Sequence, residues 1–93
     1  MTISATDVSF TGDYMTVTLS DDRLLSVPLV WFPSLYDATP DQRAAVEIGS
    51  YGLHWEDLDE DISIDGLLAG RMDTTSRGRA RRAEIEAAAH AVE

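Results

Sequence analysis

Cysteine is missing from this chain of 93 residues. Its absence excludes disulfides, thiolate metal sites and cysteine nucleophiles together. Long apolar runs are missing too: none approaches the ~20 residues that a membrane helix requires, so no membrane partner is expected. The opening stretch MTISATDVSF lacks a basic segment followed by an apolar one. That order would mark a signal peptide, so cytoplasmic is the expected location. The only histidines are His54 and His90, and two without a third ligand make no zinc site. No catalytic triad or phosphate-binding loop stands out. The expectation is therefore a non-enzymatic protein with no cofactor, no catalytic residue and no resident metal.

Positive charge is scarce and unevenly placed. Residues 1–70 hold thirteen acids against Arg23 and Arg43, a balance of −11. Residues 71–93 hold five arginines against four acids, a balance of +1. An acidic body repels phosphates, which disfavours direct nucleic-acid binding, while the same field draws in a basic protein.

What is there is an ordinary globular composition, 44% hydrophobic. A chain this short makes one small domain that buries about two thirds of its unfolded surface. Residues 1–70 read as that domain, and residues 71–93 as a basic linker with an alanine-rich helix.

Apolar and polar residues alternate along the first thirty positions. Ile3, Ala5, Val8 and Phe10 are inward candidates whose spacing slips between Ala5 and Val8, which predicts a bulge. Thr11-Gly12-Asp13 is a turn, after which Met15, Val17 and Leu19 share one face and Tyr14, Thr16 and Thr18 the other. Asp21-Asp22-Arg23 turns again into a strand with Leu25, Val27 and Leu29 inward, and Pro28 places that strand at an edge. Three strands in meander order make an antiparallel sheet whose apolar face needs a cover.

The cover is expected from one main helix over residues 40–50. Thr39-Pro40-Asp41-Gln42 combines an N-cap, a proline at the first helical position and a capping-box partner. Ala44, Ala45 and Ile48 would face the sheet, and Arg43 would pair with Glu47 on the outside. Residues 62–64 predict a further short strand, Asp65-Gly66 a turn, and Leu67-Leu68 a return to the core. The fold class is thus α+β, with Trp31, Trp55, Ile62, Ile64 and Leu67 in one core. Residues 70–78 read as a hinge. Beyond it a helix over residues 80–92 carries a weak stripe of Ile85, Ala88, Ala89 and Val92, with Arg81 and Arg82 solvated. That stripe could dock on the domain, or support weak homo-oligomers.

The candidate functional residues follow from charge and exposure. Glu56, Asp57, Asp59, Glu60 and Asp61 form an acidic turn suited to a partner. Asp57, Asp59 and Asp61 alternate as in a calcium loop, but Ile62 and Leu68 stand where that loop needs glycine and glutamate. Tyr36 and Tyr51 are expected to be partly exposed beside it, and Arg79 and Arg82 belong to the single basic cluster, RGRARR.

Three segments taken together, SVPLVWFPSL, ATPDQRAAVEI and GLHWEDLDEDISIDGLLAG, resemble the small bacterial family called domain of unknown function 2442. The resemblance covers residues 1–70 and departs at Glu56, where that family often has proline. It implies a small α+β domain and no established activity. Relatives encoded beside another small protein, in the manner of toxin and antitoxin pairs, suggest a protein partner.

Three functions stay open on these grounds. The favoured one is an acidic protein-binding module, antitoxin-like in neutralising a basic partner. The second is a nucleic-acid mimic that blocks a nucleic-acid-binding protein. The third is a small divalent-metal-dependent enzyme using His54 and the carboxylates of residues 57–61.

Overall fold

Alternation carries the N-terminal third of the computed structural model, which describes residues 3–90. Strands β1 (Ala5–Thr11), β2 (Tyr14–Leu19) and β3 (Leu24–Pro28) form an antiparallel meander. The expected bulge lies between Ala5 and Asp7, where the β1–β2 register shifts. Met15, Val17, Leu19, Val27 and Leu29 are buried on the inner face. The outer face is lined with hydroxyls, among them Thr16 and Ser26 in contact at 2.8 Å. After Pro28 the chain tightens into a single 3-10 turn, Leu29–Trp31, and then into helix α1 (Pro33–Tyr36), which buries Leu35.

The helix expected over residues 40–50 is shorter. Helix α2 spans Pro40–Ala44, opens with the Thr39–Gln42 capping box, and buries none of its own residues. Ala44, Ala45 and Ile48 are exposed rather than facing the sheet. Two alanines bury too little to hold a helix down, whereas Glu47 and Ile48 gain strand pairing across a turn closed by the Gly49 amide on the Gly52 carbonyl (2.9 Å). They form β4 (Glu47–Ile48), which joins β5 (Gly52–Trp55) and β6 (Glu60–Ser63) in a second three-stranded antiparallel sheet. One expected sheet is therefore two.

The strand near residues 62–64 ends one residue early. Ser63 accepts a hydrogen bond from the Gly66 amide (2.9 Å) and so caps helix α3 (Ile64–Leu68). Ile64 and Asp65-Gly66 thus belong to a helix rather than to a strand and a turn.

A single hydrophobic core joins both sheets, with Trp55, Ile62, Ile64 and Leu67 buried beside the meander residues, while Trp31 only packs against its rim. Arg43 fastens the pieces. Its guanidinium donates to the carbonyls of Leu35 (2.7 Å) and Tyr36 (2.8 Å), and its own carbonyl accepts from the Trp55 indole (3.0 Å). The expected Arg43–Glu47 pair gives way to this arrangement because backbone carbonyls at the end of α1 need donors.

Helix α4 (Ser76–His90) starts earlier than the expected position 80. The Asp73 amide donates to the Trp31 carbonyl (2.9 Å), and Arg82 donates to the Asp73 carbonyl (3.0 Å). Gly78 is buried against the Asp73 carboxylate, which would have to swing aside for any side chain at that position. Arg82, expected to be solvated, is thus engaged, and so is Arg81, whose guanidinium donates to the Asp37 carboxylate. Of the helix stripe, Ile85 is half-buried and Ala88 exposed; the side chains of Ala89 and His90, and Val92, lie outside the described residues. Among the described residues no helix is long and apolar enough to cross a membrane.

Two substitutions test this frame. Arg43→Met keeps the bulk but removes two charge-assisted bonds, so it should cost about 2–3 kcal/mol in urea unfolding. Thr39→Ala, which removes only a cap, should cost about 1 kcal/mol. Separately, a methyl on Gly52 would sit 2.5 Å from the Ile62 carbonyl oxygen. Gly52→Ala should therefore cost about 1–3 kcal/mol and lower the thermal midpoint accordingly.

Candidate functional site

Strand alternation sorts the acidic turn onto two faces. On β5 and β6, His54 pairs with Asp61 and Trp55 pairs with Glu60. Trp55 points into the core, so its partner Glu60 is drawn inward, while His54 and Asp61 share the outer face. Glu47 is the partner of His54 on the other side, on β4.

On the outer face His54 sits between carboxylates. Its Nδ1 lies 2.6 Å from Asp61 and its Nε2 2.7 Å from Glu56. These two acids, Glu56 foremost, push the imidazole pKa up to about 9. At neutral pH the ring is an imidazolium with both nitrogens donating. Glu47, His54 and Glu56 bring ligand atoms within 4.8 Å of one another, a spacing that suits a cation. A doubly donating ring, however, has no lone pair to offer one. The set expected for metal chemistry also differs from the one assembled: none of the carboxylates of residues 57–61 is in this group, and Glu47 and Glu56 were not anticipated for it.

The inner side opens into a cleft of about 830 Å³ between α1, the β5–β6 turn and the segment leading into α4. Phe32, Leu58, Ile62, Leu67 and Met72 supply its apolar lining and Asp59 and Glu60 its acidic wall, while Asp61 borders it with its carboxylate turned to His54 on the outer face. Glu60 is half-buried and accepts a hydrogen bond from the Ser34 hydroxyl (2.7 Å). Burial raises the Glu60 pKa, and the neighbouring Asp73, Asp61 and Asp59 add to the effect against the Ser34 hydroxyl. Across the cleft Arg81 grips Asp37 with two bonds of 2.8 Å each. That guanidinium holds the Asp37 carboxyl below the usual range, and the Arg81 pKa is raised in return. Arg71 and Arg77 line the cleft as exposed residues.

The candidate residues are thus divided. Asp59 and Glu60 line the cleft, whereas Glu56 and Asp61 serve His54 and Asp57 is exposed in the turn. Tyr36 is half-buried on α1, and Tyr51 is 76% exposed in the β4–β5 turn beside the outer face. Arg79 is exposed on α4 and Arg82 is tied to Asp73. Ser34, Asp37, Asp73 and Arg81 belong to the cleft and were not anticipated. Their sequence separations, 26 residues for Ser34–Glu60 and 44 for Asp37–Arg81, leave no local pattern to find them by.

The family model described as protein of unknown function (DUF2442) matches residues 5–73. Two solved structures share the fold. One is a protein of unknown function from Rhodospirillum rubrum, 35% identical, covering 80% of this chain and 94% of its own, with a TM-score of 0.68. The other is an uncharacterized protein from Chromobacterium violaceum, 30% identical, covering 77% of this chain and 70% of its own, with a TM-score of 0.67. Among the curated proteins there is no match.

The His54 pair has a pH signature. Its folded pKa of about 9 lies above the ordinary histidine value of 6.5. The stabilisation it gives is therefore fully present below pH 6.5 and lost as pH rises through about 9. An NMR titration of the ring protons should give a midpoint close to that raised value. The urea midpoint should fall over the same window in the native chain and stay level in His54→Gln.

Proposed function

The chain belongs to the DUF2442 family, and we propose that it works as a non-enzymatic binding module for a basic protein segment. The observation that carries this reading is the cleft: an apolar floor beside a half-buried, uncompensated carboxylate, Glu60, on a strongly acidic body. An apolar floor supplies affinity through burial, and the acidic wall selects a partner of opposite sign. The long-range field speeds the encounter. Such a module, seated on a basic protein, would cover the surface that protein uses and so neutralise it.

The acids at the remaining sites favour this discrete cleft over mimicry of nucleic acid. Asp13 stands at the β1–β2 turn, Asp21 and Asp22 at the β2–β3 turn at the opposite end of β2, and Asp7 on β1. A phosphate-like row would need them on one continuous face.

The test is recovery of a partner by the immobilised full-length chain from its host's lysate at low and at physiological salt. The expected outcome is a stoichiometric basic protein whose association rate, measured with purified components, falls steeply as salt rises. Recovery of none at either salt, or an association indifferent to salt, counts against the module.

A further inference from the structure

We infer that the cleft receives an arginine side chain from the partner segment, with Glu60 as its counter-ion. This rests on the preceding reading for the identity of the partner, and on the cleft alone for the chemistry. Its register partner Trp55 places Glu60 on the core side of the sheet, where it is half-buried. Its one side-chain bond among the described residues comes from Ser34, a neutral hydroxyl. No cation of the described residues pairs with it.

The nearby charges are otherwise engaged. Asp61 serves His54, and Asp37 serves Arg81. Arg71 and Arg77 are exposed. Asp59 and Asp73 add to the negative field at Glu60 without neutralising it. A half-buried carboxylate in that position is held at a cost that an incoming cation removes.

Arginine fits better than lysine. Its guanidinium sheds water more readily, and its fork of N–H donors can serve a carboxylate in two parallel bonds. Its aliphatic stem would lie along Leu58, Leu67 and Met72. A cleft of about 830 Å³ has room for that side chain and the peptide on either side of it.

The probe is a five-residue peptide, acetylated and amidated, with one central arginine among glycines, titrated into the full-length protein and followed by amide NMR shifts. Saturable shifts centred on Ser34, Leu58, Glu60 and Leu67 are expected, with the matching lysine peptide binding several-fold more weakly. Glu60→Gln keeps the size and the Ser34 contact and should weaken the arginine peptide by about tenfold or more, as loss of a charged hydrogen-bond partner does. Asp41→Asn removes the same charge from exposed α2, away from the cleft, and should leave affinity within about twofold, since distant exposed charges are screened. Thermal melts establish that both variants are folded, and Ser34→Ala, expected to shift the same signals, replaces Glu60→Gln if that variant is not. Shifts scattered over the acidic surface, or equal losses in Glu60→Gln and Asp41→Asn, overturn the assignment. A basic protein bound equally well by Glu60→Gln would sink the arginine anchor and keep the module. Saturation by the peptide, with no protein partner recovered, would do the reverse.

Discussion

One residue holds the two sheets and the short helices in register. Arg43 lies on a helix that buries nothing, yet its side chain closes the carbonyl end of α1 and its backbone accepts the Trp55 indole. Its guanidinium also lies 6.0 Å from the centre of the Phe10 ring, within the range of a cation–π contact. One residue therefore touches the first sheet and α1 with its side chain and, through its backbone carbonyl, the core of the second sheet. A small domain has few apolar residues to spend on each junction. Here directional bonds from a permanently charged group take over where burial is thin.

The cleft is a consequence of that frame. Trp55 must face the core to meet the Arg43 carbonyl, and antiparallel pairing then obliges Glu60 to face the same way. The carboxylate is therefore held half-buried in the cleft and not on the outer face. Stability and the acidic cleft are thus tied to a single strand pairing. The outer face is arranged in the opposite manner: His54 and Asp61, also paired, satisfy each other with help from Glu56.

Much of the first half was legible in the sequence. Clean alternation in Tyr14–Leu19, the slip after Ala5 and the proline at residue 28 are local signals, and the structure follows each. So is the Thr39 capping box, which starts a helix where expected. The length of that helix was not legible, because Ala44, Ala45 and Ile48 satisfy a helical spacing without enough area to enforce it. Ile64 misled for the complementary reason: β-branching favours a strand, but the Ser63 hydroxyl offers a helix start that outweighs it. In the acidic turn, sequence reading gathered five carboxylates and could not divide them. Only the pairing of Trp55 with Glu60 shows that one carboxylate turns inward. Ser34, Asp73 and Arg81 come from distant segments, and no periodicity connects them.

The bulge near Ala5 has a consequence for life at high concentration. The first strand is an edge of its sheet, and an edge of seven residues is long enough to recruit another chain. A bulge twists such a strand and breaks its ladder of unpaired amides and carbonyls. Pro28, on the opposite edge, withholds an amide at the far end of β3. The second sheet is guarded by brevity, since β4 offers only two residues. The margins at β1, β3 and β4 are thereby made poor templates for fibrous or swapped assembly.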